Sequence, residues 1–264
     1  MTETNQFIEA AASSIPAITL DEMDGVKLLN RIDAKFLTNE STLLEVLADA
    51  KAAGYRALET EGTKVSPYNS IYFDTPGMKM FLDHHNCRLI RQKVRTREYV
   101  NSGTAFLEIK RKNNHGRTKK KRIGIDEKEM LGFAGNPVAC EYLSNHSWFT
   151  VEDLSPVLST AFRRITLVNP AMTERLTIDT SLLFTNFQTG KKASLEDTVI
   201  IELKQDGHAS SQMKSILLAH RVKPVRVSKY CIAVTLTDPS VKSGRFKVKV
   251  RTIEKTIYKK INVI

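Results

Sequence analysis

Cysteine is scarce in this 264-residue chain. Cys87, Cys140 and Cys231 are odd in number and none lies close to another, which excludes a disulfide framework and a cysteine-based zinc site. A reducing cytoplasm is the compartment this composition fits. There is no apolar run of about 18 residues, so no membrane-spanning helix is expected. The N-terminus carries Glu3 and Glu9 and lacks a basic flank before an apolar core, which excludes a secretory signal. Internal repeats and low-complexity linkers are missing, and Trp148 is the only tryptophan. Hydrophobic residues at 41% and charged residues at 26% exclude wholesale disorder, and the length allows one large domain or two small ones.

Charge is what the chain has in excess. Lys and Arg number 40 against 29 Asp and Glu, a formal net charge of +11. Between Arg88 and Arg122 stand thirteen basic and two acidic residues, so this stretch alone accounts for the excess. A concentrated positive field points to an anionic partner: nucleic acid, an acidic membrane surface or a phosphorylated molecule.

Helices are expected over Leu20–Asn30, about Ser41–Ala53 and Ser210–His220, from apolar periodicity and from Gly54 as a C-terminal stop. Residues 1–19 are weakly patterned and read as a loosely ordered segment. Strands are expected over Arg31–Leu37, Ser70–Phe73, Leu89–Val100, Thr104–Arg111, Lys119–Ile125, Ala161–Val168, Arg175–Leu182, Thr198–Lys204 and Val225–Tyr230. Many strands with short turns and few helices predict an α+β protein built as an antiparallel barrel with helices packed outside. The principal domain is read as 20–235. Residues 236–264 form a basic C-terminal extension, in which Lys247, Lys249 and Arg251 alternate with Phe246, Val248 and Val250; it reads as an added strand or as a basic arm for an anionic membrane or partner.

Strand side chains alternate between faces. Arg91, Lys93, Arg95 and Arg97 therefore share one face. Arg31, Asp33 and Lys35 oppose Ile32, Ala34 and Phe36. Glu108 and Lys110 oppose Leu107 and Ile109. Arg175, Thr177 and Asp179 oppose Leu176 and Ile178, and Glu202 and Lys204 oppose Ile201 and Leu203. A solvated charged face would mix signs more evenly. Turned inward, these faces would line a cationic bore holding a few carboxylates. Two like charges ~6 Å apart repel by roughly 3 kcal/mol at an effective dielectric of about 20. A polyanion, with a divalent cation bridging its phosphates, would relieve that repulsion. These are the requirements of phosphoryl transfer.

The segments RIDAKF (31–36), YFDT (72–75), KVRTREY (93–99), FLEIK (106–110), KKKR (119–122), FRRITL (162–167), ERLTIDT (174–180), IELK (201–204) and VSKY (227–230) occur in this order. Together they resemble the VTC (vacuolar transporter chaperone) domain, the polyphosphate polymerase branch of the triphosphate tunnel metalloenzyme (CYTH-like) superfamily, in a stand-alone bacterial-type form. The resemblance implies a closed eight-stranded antiparallel barrel, ATP as phosphoryl donor, a growing polyphosphate chain, and Mn²⁺ or Mg²⁺. It places Lys35, Arg95, Arg97, Lys110, Arg164 and Arg175 at the reacting phosphates. Further phosphate contacts fall to Arg31, Lys93, Lys120, Arg122, Lys204, Arg226 and Lys229. Glu202 and Glu108 become metal ligands. In the wider superfamily the opening motif is Glu-x-Glu-x-Lys; here it reads Arg31-x-Asp33-x-Lys35, which counts against simple triphosphatase or cyclase chemistry. Arg226 stands where Lys is expected, and a guanidinium forks where an ammonium is a point charge.

Other readings remain beside this one. The tunnel could bind polyphosphate or inositol phosphates without catalysis, or hydrolyse triphosphates. Nucleic acid is not expected, because FLEIK and IELK put carboxylates on the basic strands and aromatic residues do not interleave with them. A membrane protein is a conceivable partner. His84 and His85 read as surface or hairpin residues, Asp74 as a strand end that fixes a turn, and Trp148 as a packing residue. Ser228 lacks a base to make it a nucleophile. Glu108 reads equally as metal ligand or as partner of neighbouring cations, and Tyr99 as core or as a stacking surface for adenine.

Overall fold

The computed structural model describes residues 3–23, 31–207 and 210–264. In chain order it contains α1 (Glu3–Ser13), β1 (Ala17–Ile18), α2 (Leu20–Met23), β2 (Arg31–Asn39), α3 (Glu40–Ala52), β3 (Arg56–Leu58), β4 (Ser66–Asp74), α4 (Lys79–His85), β5 (Arg91–Tyr99), β6 (Thr104–Lys112), β7 (Thr118–Ile125) and α5 (Pro137–His146). There follow β8 (Ser155–Val168), β9 (Glu174–Asn186), β10 (Lys192–Leu195), β11 (Thr198–Asp206), α6 (Gln212–Ala219), α7 (Lys229–Thr237), α8 (Gly244–Ile257) and β12 (Asn262–Val263).

The expected closed eight-stranded barrel does not form. Among the described residues twelve strands make one sheet that stays open, antiparallel throughout except where β1 runs parallel to β3. Its eight long strands lie in the order β2-β11-β9-β8-β4-β5-β6-β7, and β2 and β7 do not pair with each other. The outer edge of β2 is occupied instead: the Val225 N–H donates to the Lys35 carbonyl at 2.7 Å, and Pro224 bridges to Phe36. The other edge, β7, carries Lys119, Lys120, Lys121 and Arg122, and a charged edge strand resists pairing.

Open as it is, the sheet curls. Lys110 on β6 feels the charge of Glu202 on β11, and Lys93 on β5 feels Lys35 on β2. Each pair is five strand spacings apart along the sheet, about 24 Å if it were flat. The cationic face is therefore the concave one.

Period-two alternation buries the opposite face. Phe36, Ile165, Ile178, Ile201 and Leu203 pack beneath α1, α3 and α6, and Val94, Leu107 and Ile109 pack with Ala139 and Leu143 of α5. The N-terminal segment joins this core through Ile8, Ala12 and Ile15. The helix expected over Leu20–Asn30 is described as far as Met23; residues 24–30 lie outside the described residues.

Two expected features take a different form. Val225–Tyr230 is not a strand: Ser228 is the N-cap of α7, its side chain accepting from the Cys231 N–H. This helix is apolar all round, with Tyr230, Cys231, Ile232, Ala233 and Val234 buried, as suits a helix with neighbours on every side. It rests on the concave face against Leu37, Ile200, Leu158 and Phe184. The C-terminal extension is the amphipathic helix α8, which buries Phe246, Ile253 and Ile257 in the same cluster. The alternating stretch is thus a helix and not a strand or a free arm, and the chain end adds the short strand β12 beside β10.

Candidate active site

Three carboxylates organise the concave face. Glu108, fully buried on β6, lies opposite Arg95 in the β5–β6 register. Arg95 donates to its Oε2 from Nε at 2.8 Å and from Nη2 at 2.6 Å, and Lys120 donates to Oε1 at 2.8 Å. Burial would raise the Glu108 carboxyl, but Arg95, Arg97 and Lys120 hold it well below the usual carboxylate range. Asp179 on β9 accepts a forked pair from Arg164, Nε to Oδ1 at 2.6 Å and Nη2 to Oδ2 at 2.8 Å, and a further bond from Lys229. Glu202 on β11 sits between Lys35, 3.1 Å from Oε2, and Lys204, 3.5 Å from Oε1.

Between these clusters stand cations whose charge the carboxylates offset only in part. Arg97 is 6% exposed. Its Nε donates to Ser70 Oγ at 2.9 Å, and its plane lies over the Tyr68 and Phe162 rings at 5.6 Å. Among the described residues no carboxylate is within ion-pair distance of it. Burial, Arg95 and Arg164 push Arg97 down to about 10. Lys93 donates to Ser228 Oγ at 2.8 Å and is pushed down by burial. Lys110 is held well below the ordinary ammonium range by Arg95, by burial and by Arg97. Lys229, the first residue of α7, is pushed down to about 7 by burial even with Asp179 beside it, because Arg164 and Arg97 add to the effect of burial.

The remaining candidates, traced on the fold, divide. Arg122 lies on the Glu108 side of β7, 4.4 Å over the Phe106 ring, so within KKKR the groove side belongs to Lys120 and Arg122. Arg175 and Lys204 are register partners on the same face. Arg226 is exposed on the loop before α7. Arg31 pairs with Asp206 at the start of β2, and its side chain lies outside the described residues.

Four participants are not singled out as site residues by the sequence. Asp179 stands in the Arg175–Thr177–Asp179 alternation and is the one with a legible signal. Tyr72, whose hydroxyl accepts from Arg95 at 3.0 Å, and Ser70 come from β4. Ser228 acts through its double use as helix cap and Lys93 partner. Other candidates prove structural. Asp74, with no exposed surface, accepts from the Thr75, Met80 and Phe81 N–H groups and from the Tyr230 hydroxyl. His84 and His85 are not surface groups: His84 is pushed down to about 2 by burial and Lys93, and His85 is buried against Phe246. Trp148, expected to pack, is exposed with the Arg111 guanidinium 4.9 Å over its ring, and Tyr99 packs on Tyr68 and Phe106.

For a divalent metal the donor set is thin. No group of three or more His, Cys, Asp or Glu side chains able to hold an ion occurs among the described residues. Glu108 does not fit, since both its oxygens are spent on cations in a closed site. Glu202 fits as a single protein ligand, being partly exposed beside the groove, for an ion whose other ligands are phosphate oxygens and water.

No helix among the described residues is long and apolar enough to cross a membrane. Residues 30–237 match the family model of the VTC domain. No curated protein matches the chain. Among solved structures, a Bacillus halodurans protein named for adenylate cyclase is 14% identical with a TM-score of 0.50, over 75% of this chain and 93% of its own. A Hippeastrum protein, named for adenylyl cyclase and for a dominant triphosphatase activity, is 13% identical with a TM-score of 0.49, over 78% and 95%.

Proposed function

Because the chain belongs to the VTC domain family, we infer that it is a phosphotransferase moving the γ-phosphoryl group of ATP onto a growing polyphosphate chain held along the concave face. The observation that carries this reading is the excess of cations over carboxylates on the concave face, centred on buried Arg97. A buried charge is costly unless a counter-charge meets it, and here the nearest one, Glu108, is already shared between Arg95 and Lys120. A row of phosphates would supply several at once.

The residues divide the work. Arg95 and Arg164 are fixed in place by Glu108 and Asp179, so their outward N–H groups are already oriented when substrate arrives. Arg97, Lys93 and Lys110 bring unspent charge to equatorial oxygens, where it offsets the charge of the transition state. Lys35 and Lys204 hold Glu202 at the rim of the same field. The acceptor, a phosphate chain end, is anionic at neutral pH and needs no general base. Mn²⁺ or Mg²⁺ bound at Glu202 would supply phosphate neutralisation and alignment.

Incubation of the purified protein with ATP and Mn²⁺, with ADP and chain length read on a gel, tests the reading. Long chains with stoichiometric ADP are expected. Free phosphate alone would mark a hydrolase. No turnover, together with thermal stabilisation by polyphosphate, would mark a binding protein. Either result overturns the proposal.

A further inference from the structure

The cationic face continues past the groove. On β5 the series Arg97, Arg95, Lys93 extends to Arg91, and on β6 Lys110 extends to Lys112; Arg91 and Lys112 are register partners. Facing them, Lys249 on α8 donates from Nζ to the Arg226 carbonyl at 2.5 Å and ties α8 to the loop ahead of α7. Phe246 holds α8 there, packed on the rings of Phe81, His84 and His85 at 5.7, 6.0 and 5.5 Å. Lys112 feels Arg91 and Arg226, Lys249 feels Arg226, and no carboxylate is among the charges acting on either lysine. Helix α8 lies beyond the family match, which ends at residue 237.

We propose that Arg91, Lys112, Arg226 and Lys249 form a second anion site at this mouth, one that holds the distal part of a long polyphosphate while its end occupies the groove. The proposal rests on the function argued above. From Arg97 to Arg91 the strand runs roughly 20 Å, more than a triphosphate spans, so a triphosphate seated at Arg97 and Arg95 stops short of the mouth and a longer chain reaches it. The mouth therefore adds more affinity for long chains than for short ones. It retains product between transfers.

The test needs no nucleotide. Binding of inorganic tripolyphosphate and of long-chain inorganic polyphosphate is measured by calorimetry on the full chain, over a salt series. In the double variant Lys112→Glu, Lys249→Glu, long-chain affinity should fall about tenfold or more, with the salt slope reduced by about one per lost phosphate contact. Tripolyphosphate affinity should fall far less. Lys247→Glu, on nearly the opposite side of α8 from Lys249, carries the same kind of charge change and should leave both affinities alone. Should the double variant melt early, Lys249→Gln alone must still weaken long chains selectively. The inference is overturned if long-chain affinity holds, if tripolyphosphate weakens in parallel, or if Lys247→Glu does as much harm. A protein that makes no polymer yet shows the length-selective loss keeps this site and loses only the polymerase reading.

Discussion

A guanidinium taken out of water without a counter-charge weakens the protein that carries it. Arg97 comes close to this: Arg95 and Arg164 repel it, and the one carboxylate that attracts it, Glu108, is bonded to Arg95 and Lys120. Replacing it by methionine should therefore stabilise the free protein, by about 1–4 kcal/mol if it behaves like the replacement of buried ion groups by packed hydrocarbon. The same change should cut polyphosphate affinity at least tenfold. Thermal melting and calorimetry on one sample would read both; a destabilised variant with full affinity would show that Arg97 is structural. Glu108→Gln should act in the other direction, costing about 3 kcal/mol because Arg95 and Lys120 lose their shared partner. Lys229 adds a pH dependence. Its ammonium titrates near 7 in the free protein, far below an unfolded lysine. Between those two values the unfolded chain binds the extra proton, so this group's contribution to stability is least favourable below about 7 and improves as pH rises. Phosphate binding needs the charged form and so has the opposite trend, weakening as pH climbs through 7. Lys229→Arg should flatten the affinity profile, since a guanidinium stays charged throughout; an unchanged profile would assign the titration elsewhere.

At the scale of elements, Asp74 fastens β4 to two helices. It receives the Met80 and Phe81 N–H groups of α4 and the Tyr230 hydroxyl of α7. Asp74→Ala leaves those buried donors unmet, at about 1–3 kcal/mol for each group left unsatisfied. Urea unfolding should show that loss, and hydrogen exchange should show it concentrated in α4 and α7. What could be read of these elements follows their surroundings. Strands with one wet and one dry face announce themselves by alternation, which is why Arg95 and Glu108, or Lys35 and Glu202, could be assigned to one side before their register was seen. Helix α7 has no such contrast: it is dry all round, and Val225 and Val227 just ahead of it, with Tyr230, mimic a strand over Val225–Tyr230. Helix α8 did carry a helical signal in Phe246, Val250, Ile253 and Ile257, which the alternating lysines concealed. Closure of the sheet depends on which segment reaches the free edge of β2. Pro224 and Val225 do so, a long-range contact that no local pattern encodes.

For the whole molecule, the net charge of +11 is gathered on the groove, the mouth and the β7 edge rather than spread. The free protein is then under self-repulsion, which salt screens within about 10 Å at 0.1 M. Added salt should raise its melting midpoint. Bound polyphosphate removes the same repulsion by pairing, and at a hundredfold excess over Kd it should stabilise by about 2.7 kcal/mol. Salt acts on that complex in the opposite sense, because each phosphate contact competes with counterions. The melting curves of free and polyphosphate-bound protein should therefore converge as salt rises, one midpoint climbing and the other falling. Scanning fluorimetry over a potassium chloride series reads both. Parallel curves would mean that the ligand holds to the protein by something other than charge, and that the concave cations are not where it lies.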